Sequence, residues 1–107
     1  MEHYDLSQME ERELFPGYRG KFIHTDNMTL VYWTIEANAP LPPHSHPHEQ
    51  VVNMLSGEFE LTVEGKSQVL KPGMVAVIPG GAEHTGRPLT RCHILDIFHP
   101  VREEYKD

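Results

Sequence analysis

The chain has 107 residues, a formal net charge of −7 and a pI near 5.5. That length fits one domain with a modest core, and so acidic a chain lacks the basic patches on which nucleic-acid binding depends. No apolar run is long enough for a transmembrane helix, and the start Met1-Glu2-His3-Tyr4-Asp5 has neither the basic nor the apolar segment of a signal peptide. One cysteine, Cys92, excludes an intramolecular disulfide and fits a small core residue in a reducing, cytoplasmic setting.

Residues 1–17 are polar and acidic and read as an N-terminal arm, separate from a barrel over 18–107. Glu10-Glu11-Arg12-Glu13 is either a single helical turn or part of that arm, while Leu6, Leu14 and Phe15 need burial somewhere. The arm either packs on a second subunit or is a loosely ordered terminus.

From Tyr18 onward the pattern predicts strands throughout. Tyr18–His24 and Met28–Glu36 flank the turn Thr25-Asp26-Asn27, and the second is rich in β-branched and aromatic residues. Ala37–Pro43 reads as a proline-broken loop. Glu49–Leu55 is the next strand, closed by Ser56-Gly57. Phe59, Leu61 and Val63 alternate with Glu60, Thr62 and Glu64, and Glu64-Gly65 turns the chain into Ser67–Leu70. Val75–Ile78 follows Pro72-Gly73 and precedes the turn Pro79-Gly80-Gly81, and Cys92–Phe98 is the last strand. Short strands with Gly/Pro turns at near-regular spacing imply an all-β barrel or jelly roll.

One stretch concentrates the chemistry: Pro42-Pro43-His44-Ser45-His46-Pro47-His48-Glu49-Gln50. In extended backbone, residues two apart share a face, so His44 and His46 converge. Gln50 lies four residues beyond His46 and keeps the same phase. Two imidazoles and a third donor are the minimum for an open divalent-metal site. The alternative is a solvated histidine-rich loop. His48 is read as lying behind the ligands or exposed, and Glu49 as pointing outward. In Cys92–Phe98, alternation places Cys92, Ile94, Asp96 and Phe98 on one face and Leu95 and Ile97 on the other. Asp96 is then either a carboxylate at the barrel mouth bonded to backbone, or an acid/base facing the metal cavity.

These segments resemble the two motifs of the cupin superfamily. His44, His46, Gln50 and Gly57 match the first, and Gly73, Pro79, Gly81 and His84 the second. The likeness runs roughly from Tyr18 to Arg102. It departs at Asn38, where glycine is usual, at Gln50, where Glu is usual, and at Pro88, where Asn is usual. Asn tolerates left-handed backbone nearly as Gly does. The resemblance implies a single-domain cupin, a double-stranded β-helix. It also implies one divalent transition metal (Ni, Zn, Fe, Mn or Cu) on His44, His46, Gln50 and His84, and a homodimer.

Gln50 changes the chemistry because it is neutral. Three His and a Glu around a divalent ion leave a net +1, whereas three His and a Gln leave +2. Such a centre favours anions, acidifies bound water further and is harder to oxidise, which argues against oxygenase chemistry. His-Ser-His-Pro-His-Glu-Gln, together with Asp96-x-Phe98, Pro100 and Arg102, resembles the KdgF family of pectin-degradation cupins, which linearise 4,5-unsaturated monouronates. That resemblance implies Asp96 as general acid/base, Arg102 as anchor of the substrate carboxylate and Phe98 as a pocket wall. Arg102 is otherwise an ordinary solvated charge. The expected partner is a small anionic sugar derivative, with no nucleic acid and no membrane. The rival readings are a metal-dependent dioxygenase of the same fold and a metal-dependent sugar-binding cupin without turnover.

Overall fold

A computed structural model describes residues 1–107. Ten strands follow in order: β1 (Arg12–Phe15), β2 (Tyr18–His24), β3 (Thr29–Ile35), β4 (Leu41–His44), β5 (Glu49–Ser56), β6 (Phe59–Val63), β7 (Lys66–Leu70), β8 (Val75–Ile78), β9 (His84–Pro88) and β10 (Cys92–His99). All pairings are antiparallel. Six strands form one sheet in the order β1-β2-β3-β10-β5-β8, and four form the other in the order β4-β9-β6-β7. The two sheets are the layers of an all-β jelly roll, and no helix is long and apolar enough to cross a membrane.

The alternation in β10 holds: Cys92, Ile94, Asp96 and Phe98 are buried and His93 and His99 exposed, with Leu95 and Ile97 half-buried on the opposite face. Those inward side chains meet Val31, Trp33 and Ile35 of β3 and Val52 and Met54 of β5 in one core. Asn38 takes the left-handed backbone expected of it, at φ 61°.

Three stretches differ from the sequence pattern. The acidic segment forms no helical turn at Glu10–Glu13. A 3-10 turn lies earlier, at Leu6–Gln8, and β1 pairs Arg12 with Gly20 and Phe15 with Tyr18 of its own sheet. Leu14 and Phe15 thereby pack on the core. The Pro-rich loop ends in a strand, β4, because it lies at the edge of its sheet, where a residue without an N–H is tolerated. Its partner β9 also falls where no strand was expected. Gly86 within it is a packing requirement: a Cβ there would sit 2.1 Å from the Phe59 ring. Beyond β10 the chain turns back. The Arg102 N–H donates to Thr29 Oγ1 at 2.9 Å, and a second 3-10 turn covers Glu103–Tyr105.

Candidate metal centre and pocket

Three histidines from three separate places converge between the sheets. His44 ends β4, His84 opens β9, and the two are paired across the ladder. His46 lies in the turn between β4 and β5. Their ring centroids are 4.2 Å apart for His44–His84 and 4.9 Å for His46–His84. One nitrogen of each lies within 4.8 Å of the others. Gln50, buried on β5, brings Oε1 to 3.1 Å from His46 Nε2.

The backbone fixes which nitrogens are free. Each Nδ1 sits beside a carbonyl two residues away: His44 beside Pro42 O at 2.9 Å, His46 beside His48 O at 3.0 Å and His84 beside Ala82 O at 2.9 Å. Only N–H can satisfy a carbonyl, so Nδ1 carries the proton and Nε2 the lone pair. This is the outer-shell arrangement found behind metal-ligating histidines. Burial then favours the neutral form of the His46 and His84 rings. It lowers the His46 pKa to about 4, helped by the charge of Arg102 and by His84, and it lowers that of His84.

The donor set fits a divalent transition metal. His84 Nε2 is buried without a hydrogen-bond partner. With Nδ1 protonated, His46 Nε2 and Gln50 Oε1 present two lone pairs to each other, which a cation between them would satisfy. All the donors are N or O, as such an ion prefers.

Asp96 is buried behind Gln50. Its Oδ2 accepts from Trp33 Nε1 at 3.0 Å, while Oδ1 has no hydrogen-bond partner. Burial pushes its pKa up to about 6, and the Gln50 amide, the Trp33 indole and the Arg102 charge hold it from rising further. The partner of Asp96 is therefore a side chain of β3, not backbone. Arg102 is buried, not solvated. Its guanidinium lies 4.9 Å from the Phe98 ring centroid and 3.9 Å from that of Tyr105, and Nη1 donates to Tyr105 Oη at 2.8 Å. Nε is 3.5 Å from Glu104 Oε1, an ion pair without hydrogen-bond geometry. Phe98 packs its ring 5.6 Å from that of His46.

A cavity of about 60 Å³ joins His44, Gln50, His84, Asp96, Phe98 and Arg102. The seven residues singled out from the sequence are thus brought together. Two others join them, in contacts that were not read from the sequence. Trp33 shares the phase of Val31 and Ile35, so alternation marks it as inward, but its bond to Asp96 spans 63 residues. Tyr105, which braces Arg102, carries no signal beyond following it by three. His48 lies behind the ligands, buried, with Nε2 4.0 Å from Glu104 Oε1, and Glu49 points outward.

The Cupin domain family matches residues 31–98. The pectin degradation protein KdgF of Dickeya dadantii (strain 3937) is 29% identical over 96 residues, 87% of each chain. The structure of KdgF from Halomonas sp. superposes with a TM-score of 0.94 at 26% identity, over 99% of both chains. An RmlC-like cupin from Shewanella frigidimarina NCIMB 400 follows with a TM-score of 0.92 at 26% identity, over 99% of this chain and 97% of that one.

Proposed function

The chain belongs to the Cupin domain family, and from that premise we propose that it is a metal-dependent enzyme that opens the ring of a 4,5-unsaturated monouronate released from pectin or alginate. The observation that carries this reading is one cavity lined by two histidines of the His44–His46–His84 cluster, a carboxyl held near pKa 6 and a buried guanidinium. The likeness to the pectin degradation protein KdgF supports it.

His44, His46, Gln50 and His84 would hold the ion. When bound, it supplies Lewis-acid polarisation of a ring or anomeric oxygen. Arg102 binds the substrate carboxylate. Its orientation is fixed by the Phe98 and Tyr105 rings and by the Tyr105 hydroxyl, so little freedom is lost on binding. The cavity has room for several waters, and it runs from the buried Asp96 toward half-exposed His44.

Asp96 moves the proton. As a carboxylate it takes the proton of the anomeric hydroxyl while the bond from C1 to the ring oxygen breaks. The products at that stage are an aldehyde at C1 and an enolate at C5, its oxygen carrying the electron pair of the broken bond. Asp96 then returns that proton to C4 as the enolate becomes the ketone. Atoms balance without water, oxidant or reductant. A pKa near 6 lets one group act in both directions at neutral pH. Trp33 keeps the carboxyl oriented throughout.

The test uses Asp96→Asn, Arg102→Ala and His46→Ala, with metal measured by mass spectrometry and loss of the unsaturated uronate followed by ultraviolet absorbance. Asp96→Asn should lower the rate by roughly 10²–10⁴ with normal metal content. Arg102→Ala should mainly weaken substrate binding, and His46→Ala should lose metal and activity together. Full activity in Asp96→Asn overturns the assigned role. Wild-type protein inert on every unsaturated uronate but taking up oxygen with another substrate decides for a dioxygenase.

A further inference from the structure

Only part of the Arg102 guanidinium is engaged. Nη1 donates to Tyr105 Oη, but Nε is buried without a hydrogen-bond partner. A buried N–H on a charged group is seldom left so, because the lost hydration is not replaced. The free edge is therefore that of Nε and Nη2, which a carboxylate can take side-on with two parallel bonds. Arg102 is also the only lysine or arginine lining the cavity.

A second carboxylate already stands at the Nε end of that edge. The 3-10 turn Glu103–Tyr105 starts directly after Arg102, with Tyr105 N donating to Arg102 O at 3.0 Å. The turn brings Tyr105 back onto Nη1 and Glu104 back toward Nε. Glu104 Oε1 lies 3.5 Å from Arg102 Nε and 4.0 Å from His48 Nε2, and is hydrogen-bonded to neither. Its side chain is 54% exposed, against 11% for Arg102 and 10% for His48. Arg102 lines the cavity and Glu104 does not, so a ligand reaches the guanidinium from one side and Glu104 from the other. Asp96, the other carboxyl near Arg102, is held by Trp33. Glu104 has the opposite charge close by, no bond to fix it and solvent to move into.

We propose that Glu104 is the internal competitor of the substrate carboxylate: it faces Arg102 in the empty site and turns toward His48 when the substrate takes the Nε–Nη2 edge. It thereby sets the affinity of the carboxylate site. This rests on the reading of Arg102 as carboxylate anchor given above. The exchange replaces one carboxylate by another, so the buried guanidinium keeps a counter-ion throughout. Neutral His48 can receive Glu104 by donating from Nε2. The exchange also matters for turnover. The ring-opened product retains its carboxylate, so the energy of the Arg102 contact is carried into the product complex and opposes release. Glu104 is the group at hand to take the product's place.

The experiment is isothermal titration of galacturonate, which keeps the carboxylate but lacks the 4,5 double bond, into wild type and Glu104→Gln of matched metal content. Glutamine keeps the size and removes the charge, and the half-exposed position tolerates it, as circular dichroism checks. The variant should bind galacturonate about threefold to fivefold more tightly, a modest factor because a half-exposed ion pair is screened. The gain should shrink as salt is raised, and KM for the unsaturated uronate should fall with it. The methyl ester of galacturonate carries no charge and should not distinguish the two proteins. Equal or weaker binding of galacturonate by Glu104→Gln overturns the proposal, weaker binding meaning that Glu104 holds Arg102 in place rather than competing for it. An equal gain for the ester overturns it too. These failures leave wild-type binding intact. A wild type that binds neither galacturonate nor an unsaturated uronate strikes the role of Arg102 itself, and this proposal with it.

Discussion

Stability measured against pH in metal-free protein tests the electrostatics of the pocket directly. Asp96 and His46 are both buried and shifted in opposite directions, to about 6 and about 4. A carboxyl with a raised pKa binds its proton more tightly in the folded state. Its contribution is fully present below the unfolded value near 4 and is lost as pH rises through about 6. A histidine with a lowered pKa behaves oppositely: its contribution is present above 6.5 and is lost as pH falls through about 4. Each shift is a little over two pH units, or about 3 kcal/mol at 1.36 kcal/mol per unit. In the wild type the two slopes offset each other between pH 4 and 6.5. Asp96→Asn removes one of them. The variant should therefore lose about 2 kcal/mol more than wild type on acidification from 6.5 to 4, most of the full shift. Urea titrations at pH 4.5, 5.5 and 6.5 with a chelator present read this as a midpoint difference that widens by roughly 1–2 M, for an m-value of about 1–3 kcal/mol/M. Carboxylates with lowered pKa, such as Glu11 and Glu36, are common to both proteins and cancel. A midpoint difference that stays constant with pH would refute the reasoning, because Asp96 would then titrate alike in folded and unfolded chains.

Tyr105→Phe keeps the ring beside Arg102 and removes only the oxygen that accepts from Nη1; KM for the uronate should rise several-fold, for about 1 kcal/mol of lost positioning, with kcat little changed. Arg102→Lys should fare worse, since a lysine can neither stack between Phe98 and Tyr105 nor fork onto a carboxylate, and isothermal titration with a substrate analogue separates the two variants. Metal at 100 times its dissociation constant should stabilise the fold by about 2.7 kcal/mol, so chelation should lower Tm by roughly 10 °C or more in a chain of this size, and His84→Ala should show no chelator response. Gly57→Ala should cost several kcal/mol by denaturant titration, well above the roughly 1–2 kcal/mol of a left-handed alanine, because its Cβ would lie 2.3 Å from Arg91 O. Gly65→Ala, at φ 78° with nothing within 4 Å, should cost only the backbone strain.

What the sequence made legible follows from the range of each interaction. Alternation is local, so β10 and the inward set Cys92, Ile94, Asp96 and Phe98 could be read directly. The i, i+2 spacing of His44 and His46 is equally local, and the second motif carried His84 to the same point. β4 and β9 were not visible because their evidence is non-local: one contains Pro42 and Pro43, the other Gly86 and Pro88, and only pairing of β9 with β6 and of β4 with β9, residues distant in sequence, makes strands of them. The Trp33–Asp96 bond is likewise non-local. Arg102 could be placed near the mouth from Pro100 and its distance from β10, but the two rings that hold it lie on different elements, β10 and the 3-10 turn.

The indole bound to Asp96 belongs to the only tryptophan in the chain. The protein therefore carries an intrinsic optical probe one hydrogen bond from the proposed proton-transfer group, with no second indole to dilute the signal. Uptake of a proton by Asp96, or a change in field at Gln50, alters the charge facing the indole N–H and so shifts its emission. Stopped-flow fluorescence on unlabelled protein can then time the arrival of an ion and of a ligand as separate phases. Both can be set against absorbance loss from the same cuvette, so that loading, binding and turnover are resolved without a reporter group being attached.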